Sequence, residues 1–228
     1  MVAQNISDFH LNNEEQVKSK QRVADYGEVL TGNREVNAML DLVKHETERI
    51  ESRFLEPACG TGNFLTEIIR RKLEIVKKRY SKSQFDFERY AIIAISSIYG
   101  IDIQEDNVIH CRERLFGIFE SYYMELFKNQ TKDECRASVQ YILRRNIIHG
   151  DALSLQTVEA KPKPIIFSEW SPINNHLIKR RDFTFHGLLE HESLKELPLF
   201  SDLGEDVFIP SPEKEYPPAH FLELANAY

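Results

Sequence analysis

Arg53-Phe54-Leu55-Glu56-Pro57-Ala58-Cys59-Gly60-Thr61-Gly62-Asn63-Phe64-Leu65 is the stretch whose reading decides the fold. Arg53-Phe54-Leu55 reads as a short buried strand that runs into a glycine-containing turn. Beyond the turn Phe64, Leu65, Ile68, Ile69, Leu73 and Val76 recur at the spacing of a long amphipathic helix. Strand, turn and helix make one βα unit. Gly60 and Gly62 let the backbone turn tightly and approach a ligand with no Cβ in the way, and the helix that follows offers its first N–H groups. Two glycines by themselves do not name the ligand.

Further along, Ile98-Tyr99-Gly100-Ile101-Asp102-Ile103 reads as a strand ending on an acid, after a loop at residues 81–85 and an apolar segment at 90–98. A helix over about residues 105–129 follows it. Asn146-Ile147-Ile148-His149-Gly150-Asp151-Ala152-Leu153 reads as a third strand with its loop, and Pro164-Ile165-Ile166-Phe167 as a fourth. Strands alternating with helices predict a mostly parallel sheet with helices on both faces. Ligands of such sheets sit beyond the carboxyl ends of the strands. There Asp102 is placed to accept hydrogen bonds from both hydroxyls of a ribose, and Asp151, flanked by Ala152 and Leu153, could receive an adenine amine. The plain alternative for either acid is a loop residue that caps the next helix. Asp102 lies about twice as far from the glycine turn as the ~20 residues usual in dinucleotide-binding units, which disfavours a nicotinamide or flavin enzyme.

Upstream, residues 1–21 are polar without a sustained period and suggest a mobile end or a short surface helix. Tyr26-Gly27-Glu28-Val29-Leu30-Thr31-Gly32 is a turn-rich loop, and Asn33 is placed to cap a helix bearing Val36, Met39, Leu40 and Val43. Downstream of Trp170, Phe183-Thr184-Phe185 and Val207-Phe208-Ile209 are candidate short strands, residues 209–218 a loop, and residues 219–226 a short helix.

At 228 residues the chain holds one α/β domain with appended segments. Its net charge of −7 and pI of about 5.7 disfavour a free-standing nucleic-acid binder, since phosphate neutralisation needs clustered cations. Arg70-Arg71-Lys72, Lys77-Lys78-Arg79, Arg144-Arg145 and Lys179-Arg180-Arg181 are the local exceptions, the first two reading as solvated faces of a helix. Cys59, Cys111 and Cys135 lack the paired spacings that hold zinc, so no metal site is expected, and Cys111 shares an apolar helical face with Val108, Leu115 and Phe119. No apolar run approaches the length of a membrane span, and a soluble cytoplasmic protein is the expectation.

The segment from Phe54 to Leu65 resembles the S-adenosylmethionine motif of the amino (N6-adenine) DNA methyltransferases, a family that includes modification subunits of restriction systems. Residues 26–31 are similar to the segment that in this family closes over the methionine end of the cofactor, Tyr99-Gly100-Ile101-Asp102-Ile103 to its ribose-binding strand, and residues 146–153 to its adenine-binding strand. The resemblance covers about residues 26–167. It implies a Rossmann-like class I methyltransferase fold and S-adenosyl-L-methionine as cofactor. It further implies that the cofactor meets Tyr26 and Thr31 on the loop, Glu56, Pro57, Ala58, Cys59, Gly60, Gly62, Asn63 and Phe64 at the turn, and Asp102, Ile103, Asp151, Ala152 and Leu153 at the later strand ends. Glu56 would organise the loop near the sulfonium and amino end.

After its fourth strand this family carries an Asn/Asp-Pro-Pro-aromatic motif, whose carbonyls accept protons from the exocyclic amine while the ring stacks on a flipped-out base. Here that position reads Phe167-Ser168-Glu169-Trp170-Ser171-Pro172. Glu169 is then the candidate proton acceptor and Trp170 the candidate stacking ring, with Ser168 beside them; the plain alternatives are a surface carboxylate and a core aromatic. The short stretch after Phe167 also implies a sheet with fewer C-terminal strands and no target-recognition region. The domain expectation is a polar segment 1–25, a cofactor-binding domain 26–170, and an extension 171–228 that completes or covers the sheet. Three functions fit: a prokaryotic DNA adenine methyltransferase of a restriction-modification or defence system, a degenerate cofactor-binding subunit acting with a partner, or a methyltransferase for RNA or protein. DNA is the expected substrate, with help from a partner subunit.

Overall fold

The computed structural model describes residues 21–22, 30–189 and 211–228. The expectations for residues 1–20, Tyr26 and the 207–209 strand lie outside the described residues. Within them the elements in chain order are α1 (Asn33–Asp41), α2 (Lys44–Thr47), β1 (Phe54–Glu56), α3 (Asn63–Tyr80), α4 (Gln84–Ser96), β2 (Ile98–Asp102), α5 (Glu105–Phe127), α6 (Asp133–Asn146), β3 (Ile147–Asp151), β4 (Gln156–Thr157), β5 (Ile166–Pro172), β6 (Leu177–Thr184), β7 (Lys214–Glu215) and β8 (Ala219–His220).

The three acid-bearing strands pair in parallel, with Phe54 opposite Ile98 and Gly100 opposite Ile147, so Glu56, Asp102 and Asp151 come out at the same end of the sheet. β4 then turns back antiparallel on β3, which makes this sheet mixed. β2 is buried at all five positions, as a central strand covered on both faces must be. Its alternation divides the core. Ile98 joins Ile147 and the apolar faces of α3, α4, α5 and α6, while Tyr99 and Ile101 point the other way, toward Ile165, Phe167 and Phe185.

Several expectations are corrected here. The fourth strand does not extend the parallel sheet: β5 forms an antiparallel hairpin with β6, joined by β7 and β8 in a second sheet. The long helices gather on one face, and that hairpin, with the helical residues 185–189, covers part of the other. β1 pairs only with β2 among the described residues, and its Leu55 is 43% exposed rather than buried. Gly32, not Asn33, is the N-cap of α1, and on that helix Val36 and Leu40 are buried while Met39 is exposed, as is Val43 beyond the helix end. α6 was not anticipated from the sequence. Residues 219–226 form β8 and turns instead of a helix, and the boundary drawn after residue 170 falls inside β5.

The second sheet is held by a buried charged cluster. Asp182 accepts from the Ser168 hydroxyl at 2.7 Å, from Arg180 Nε at 2.8 Å and Nη2 at 2.7 Å, and from Arg145 at 3.3 Å. The Arg180 guanidinium lies 4.2 Å from the Tyr216 ring centroid and within 6 Å of the Tyr141, Trp170 and Tyr228 rings. Asn146, at the end of α6, donates to the carbonyls of Ser96 and Ile98 and accepts from the Trp170 indole, which latches the hairpin to the parallel sheet. At the base of β1 the buried Lys72 ammonium donates to the Ile50 and Ser52 carbonyls and the Ser97 hydroxyl. Because Arg180 and Asp182 are both nearly inaccessible, removing one strands the other in a low dielectric. Asp182→Ala should therefore lower unfolding free energy by about 3–5 kcal/mol in denaturant titration; a loss under about 1 kcal/mol, the scale of an exposed pair, would refute the cluster's role.

Candidate functional site

At the carboxyl ends of β1, β2 and β3 the chain encloses a cavity of about 540 Å3. The turn after β1 forms its floor. Cys59 N–H bonds the Ile101 carbonyl at 2.9 Å, prolonging the β1–β2 pairing past the strand, and Gly62 N–H closes onto the Cys59 carbonyl at 2.8 Å. Both glycines hold positive φ, +53° at Gly60 and +88° at Gly62. They face opposite ways. A Cβ at Gly60, on the cavity wall, would come within 3.0 Å of Leu30, whereas one at Gly62 would stand 2.6 Å from the Cys111 sulfur.

Asp102 fastens this turn. Its Oδ2 accepts the Gly60 N–H at 2.8 Å, and its Oδ1 accepts the Gln104 N–H at 2.8 Å and the Asn107 amide at 3.1 Å. A carboxylate has about four acceptor sites, so roughly one is left for a ligand. The capping role is present, and it leaves fewer free acceptors than the two expected for a ribose. Asp151 accepts the Leu153 N–H at 2.9 Å, and this bond, followed by Ser154, holds its carboxyl below the usual range. Glu56 is raised by burial and has no cationic partner among the described residues. The Cys59 thiol is pushed up, first by the adjacent Cys111 thiol and then by burial, as befits a packing residue rather than a nucleophile.

Thr31, Glu56, Pro57, Ala58, Cys59, Gly60, Asn63, Phe64, Asp102, Ile103, Asp151, Ala152 and Leu153 are all brought to this one cavity. Gly62 is not; it faces α5. Asn63 reaches the wall, but its amide is committed elsewhere: Nδ2 donates to the Thr31 carbonyl at 2.8 Å and Oδ1 accepts from Arg114 at 2.7 Å. Leu30, from the segment at residues 26–31 that the resemblance placed over the cofactor, also lines the cavity, whereas Gln104, Asn107 and Arg114 carry roles at the site that the sequence reading does not assign. The available signal was the polar pair Asn107 and Arg114 on the helix face that also carries Cys111.

Ser168, Glu169 and Trp170 are placed away from the cavity, inside β5 rather than on a loop after a strand. Ser168 bonds Asp182, the 5% exposed Trp170 packs in the core, and Glu169 sits between Arg53 and Arg181, the latter at 2.6 Å. An extended strand points alternate side chains to opposite faces, and here both faces are consumed in packing.

The cavity is acidic, with Glu56, Asp102 and Asp151 on its walls and no Lys or Arg among the described residues lining it. Phe64, Ile103 and the 96% exposed Leu153 add apolar surface at its sides. Such a site suits a ligand that combines cationic groups, hydroxyls and a flat apolar ring. Among the described residues no group of three or more His, Cys, Asp or Glu is placed to hold a metal, and no helix is long and apolar enough to cross a membrane.

Residues 30–166 match the family described as MmeI, DNA-methyltransferase domain. No curated protein and no solved structure matches the chain. The match spans more than half of the sequence and contains every described residue that lines the cavity, while Ser168, Glu169 and Trp170 fall beyond it. The chain belongs to the MmeI DNA-methyltransferase domain family.

Gly62 combines a left-handed backbone with contact against Cys111, so Gly62→Ala should destabilise the protein by about 2–4 kcal/mol through strain and overpacking together. Denaturant unfolding checks this, and a neutral substitution would contradict the packing of the turn on α5.

Proposed function

We propose that this member of the MmeI DNA-methyltransferase domain family binds S-adenosylmethionine in the cavity at the ends of β1, β2 and β3, for methylation of DNA at adenine N6 in a restriction-modification system. The observation that carries the reading is the cavity's donor set: three carboxylates and a glycine cradle, all within the matched residues. The cavity's size lies in the ~300–1,000 Å3 range of cofactor sites. When bound, the cofactor supplies an electrophilic methyl group on a sulfonium centre.

Every other contribution is the chain's own. Glu56, half-buried beside the turn, provides a carboxylate for the cationic end. Asp102 offers its remaining acceptor site to a ribose hydroxyl, held still by three N–H donors. Asp151 and Leu153 flank the place of the adenine. Fixed groups that hold the methyl donor in one orientation lower the entropic part of the barrier without taking part in bond making.

A second reading is favoured by Ser168, Glu169 and Trp170. With all three spent on packing, the chain acts as a cofactor-binding subunit, and a partner polypeptide provides the groups that receive the target amine. Transfer of tritiated methyl groups to DNA, assayed with the chain alone and then with the products of adjacent genes, separates the two. Transfer by the chain alone removes the second reading, and cofactor binding with no transfer in either assay removes the first. Failure to bind S-adenosylmethionine removes both. In calorimetric titration Asp102→Ala should weaken binding by on the order of 1–3 kcal/mol, the scale of a hydrogen bond to a charged group.

Glu56 adds a pH dependence. Burial raises its folded-state value above the ordinary 4.5, and a cationic ligand group would lower it again. The free protein then holds a proton that the complex releases, so affinity should rise with pH through the raised value and level off above it. Glu56→Gln should flatten that slope; an unchanged slope would locate the linked proton elsewhere.

A further inference from the structure

The glycine turn is backed by one stripe of α5, whose first residue, Asn107, also reaches the cavity wall. Asn107, Cys111 and Arg114 stand at i, i+4 and i+7, so all three face the turn. Asn107 holds Asp102, Cys111 packs on Gly62, and Arg114 Nη1 donates to the Thr61 carbonyl at 2.8 Å, the Thr61 hydroxyl at 3.1 Å and Asn63 Oδ1 at 2.7 Å. Asn63 Nδ2 then donates to the Thr31 carbonyl at 2.8 Å, and Thr31 lies on the cavity wall opposite the turn.

We propose that Arg114 is a positioning residue of the cavity: by dictating the orientation of the Asn63 amide it fastens the loop at residues 30–32 to the glycine turn. The proposal rests on the cofactor reading given above. Its physical basis is donor and acceptor arithmetic. A guanidinium has donors only, so it admits the Asn63 oxygen and repels the NH2 group, leaving Nδ2 to face Thr31. Without Arg114 the amide can turn over. Its oxygen would then oppose the Thr31 carbonyl, two acceptors facing each other with no proton between them, and the loop would lose its tether. The half-buried guanidinium also satisfies the Thr61 carbonyl at the bend itself, so it serves both sides of the cavity without lining it.

The test compares the full chain with Arg114→Met, which removes every donor, and Arg114→Lys, which keeps a donor and the charge. Arg136→Met serves as a control that loses an arginine bound to Glu120 and Asp133 on the remote side of α5 and α6. Two quantities are read: amide hydrogen exchange of residues 30–36 in the ligand-free protein, where the Val36 N–H to Gly32 carbonyl bond reports on the loop, and calorimetric affinity for S-adenosylhomocysteine. Arg114→Met should speed that exchange and weaken that affinity, each on the order of tenfold. Arg114→Lys should restore most of both. Arg136→Met should shift only the thermal midpoint. Unchanged exchange at residues 30–36 in Arg114→Met overturns the proposal, as does equal damage from Lys and Met, which would mark a merely structural arginine. If the wild-type chain takes up no S-adenosylhomocysteine while the exchange contrast holds, the tether stands and the cofactor reading falls.

Discussion

The cavity depends on one carboxylate. Asp102 ends β2, and its two oxygens gather the Gly60 N–H of the turn after β1, the Gln104 N–H that opens α5, and the Asn107 amide one turn into that helix. The turn after β1, 42 residues earlier in the chain, is thereby tied to the junction of β2 and α5. The bonds are charge-assisted and largely shielded from water, which strengthens them relative to neutral surface bonds. With the turn fixed at Asp102 and backed by Cys111, the first N–H groups of α3 and the Glu56 carboxylate acquire fixed directions, which is the condition for a site that orients a ligand instead of merely admitting it.

A second charged centre governs the other half of the chain. Asp182, Arg180 and Arg145, enclosed by Tyr141, Trp170, Tyr216 and Tyr228, hold the β5–β6 hairpin as a sheet of its own. The cost of burying these charges is offset only because every partner is in place. That requirement commits Ser168 and Trp170 to the interior, and the Arg53 and Arg181 side chains hold Glu169 at its margin. The region that lies where the family carries its acceptor motif is part of the packing, and the carboxylates Glu56, Asp102 and Asp151 gather instead at the cavity beyond the parallel strands.

The βα unit at residues 53–76 and the two acid-ended strands were legible because they rest on local signals: glycines where φ is positive, a period of 3.6 in α3, and a run of apolar residues in β2 closed by Asp102. Their convergence followed from parallel pairing, which puts all carboxyl ends on one side. α6 was legible as well, since Cys135, Val139, Ile142 and Leu143 recur at helical spacing and are among the residues it buries. The hairpin was misread as a parallel strand, since Ile165-Ile166-Phe167 has the same composition in either pairing and only the distant β6 decides between them. The terminal residues, expected as a helix, pair with β6 instead, a tertiary contact overriding local preference.

The sequence by itself determined where the glycine turn lies, which acids end the strands, and hence which residues could surround a nucleotide-like ligand, because each of these is a property of a few neighbouring residues. Tertiary structure decided what those residues are free to do. It assigned most of the Asp102 acceptor sites to the protein's own N–H groups, turned the Asn63 amide toward Arg114 and Thr31, and withdrew Ser168 and Trp170 into the core. The physical reason is that a polar side chain's chemistry depends on which of its hydrogen-bonding sites remain unused, and the deciding partners, Gly60 for Asp102 and Thr31 and Arg114 for Asn63, come from segments tens of residues away.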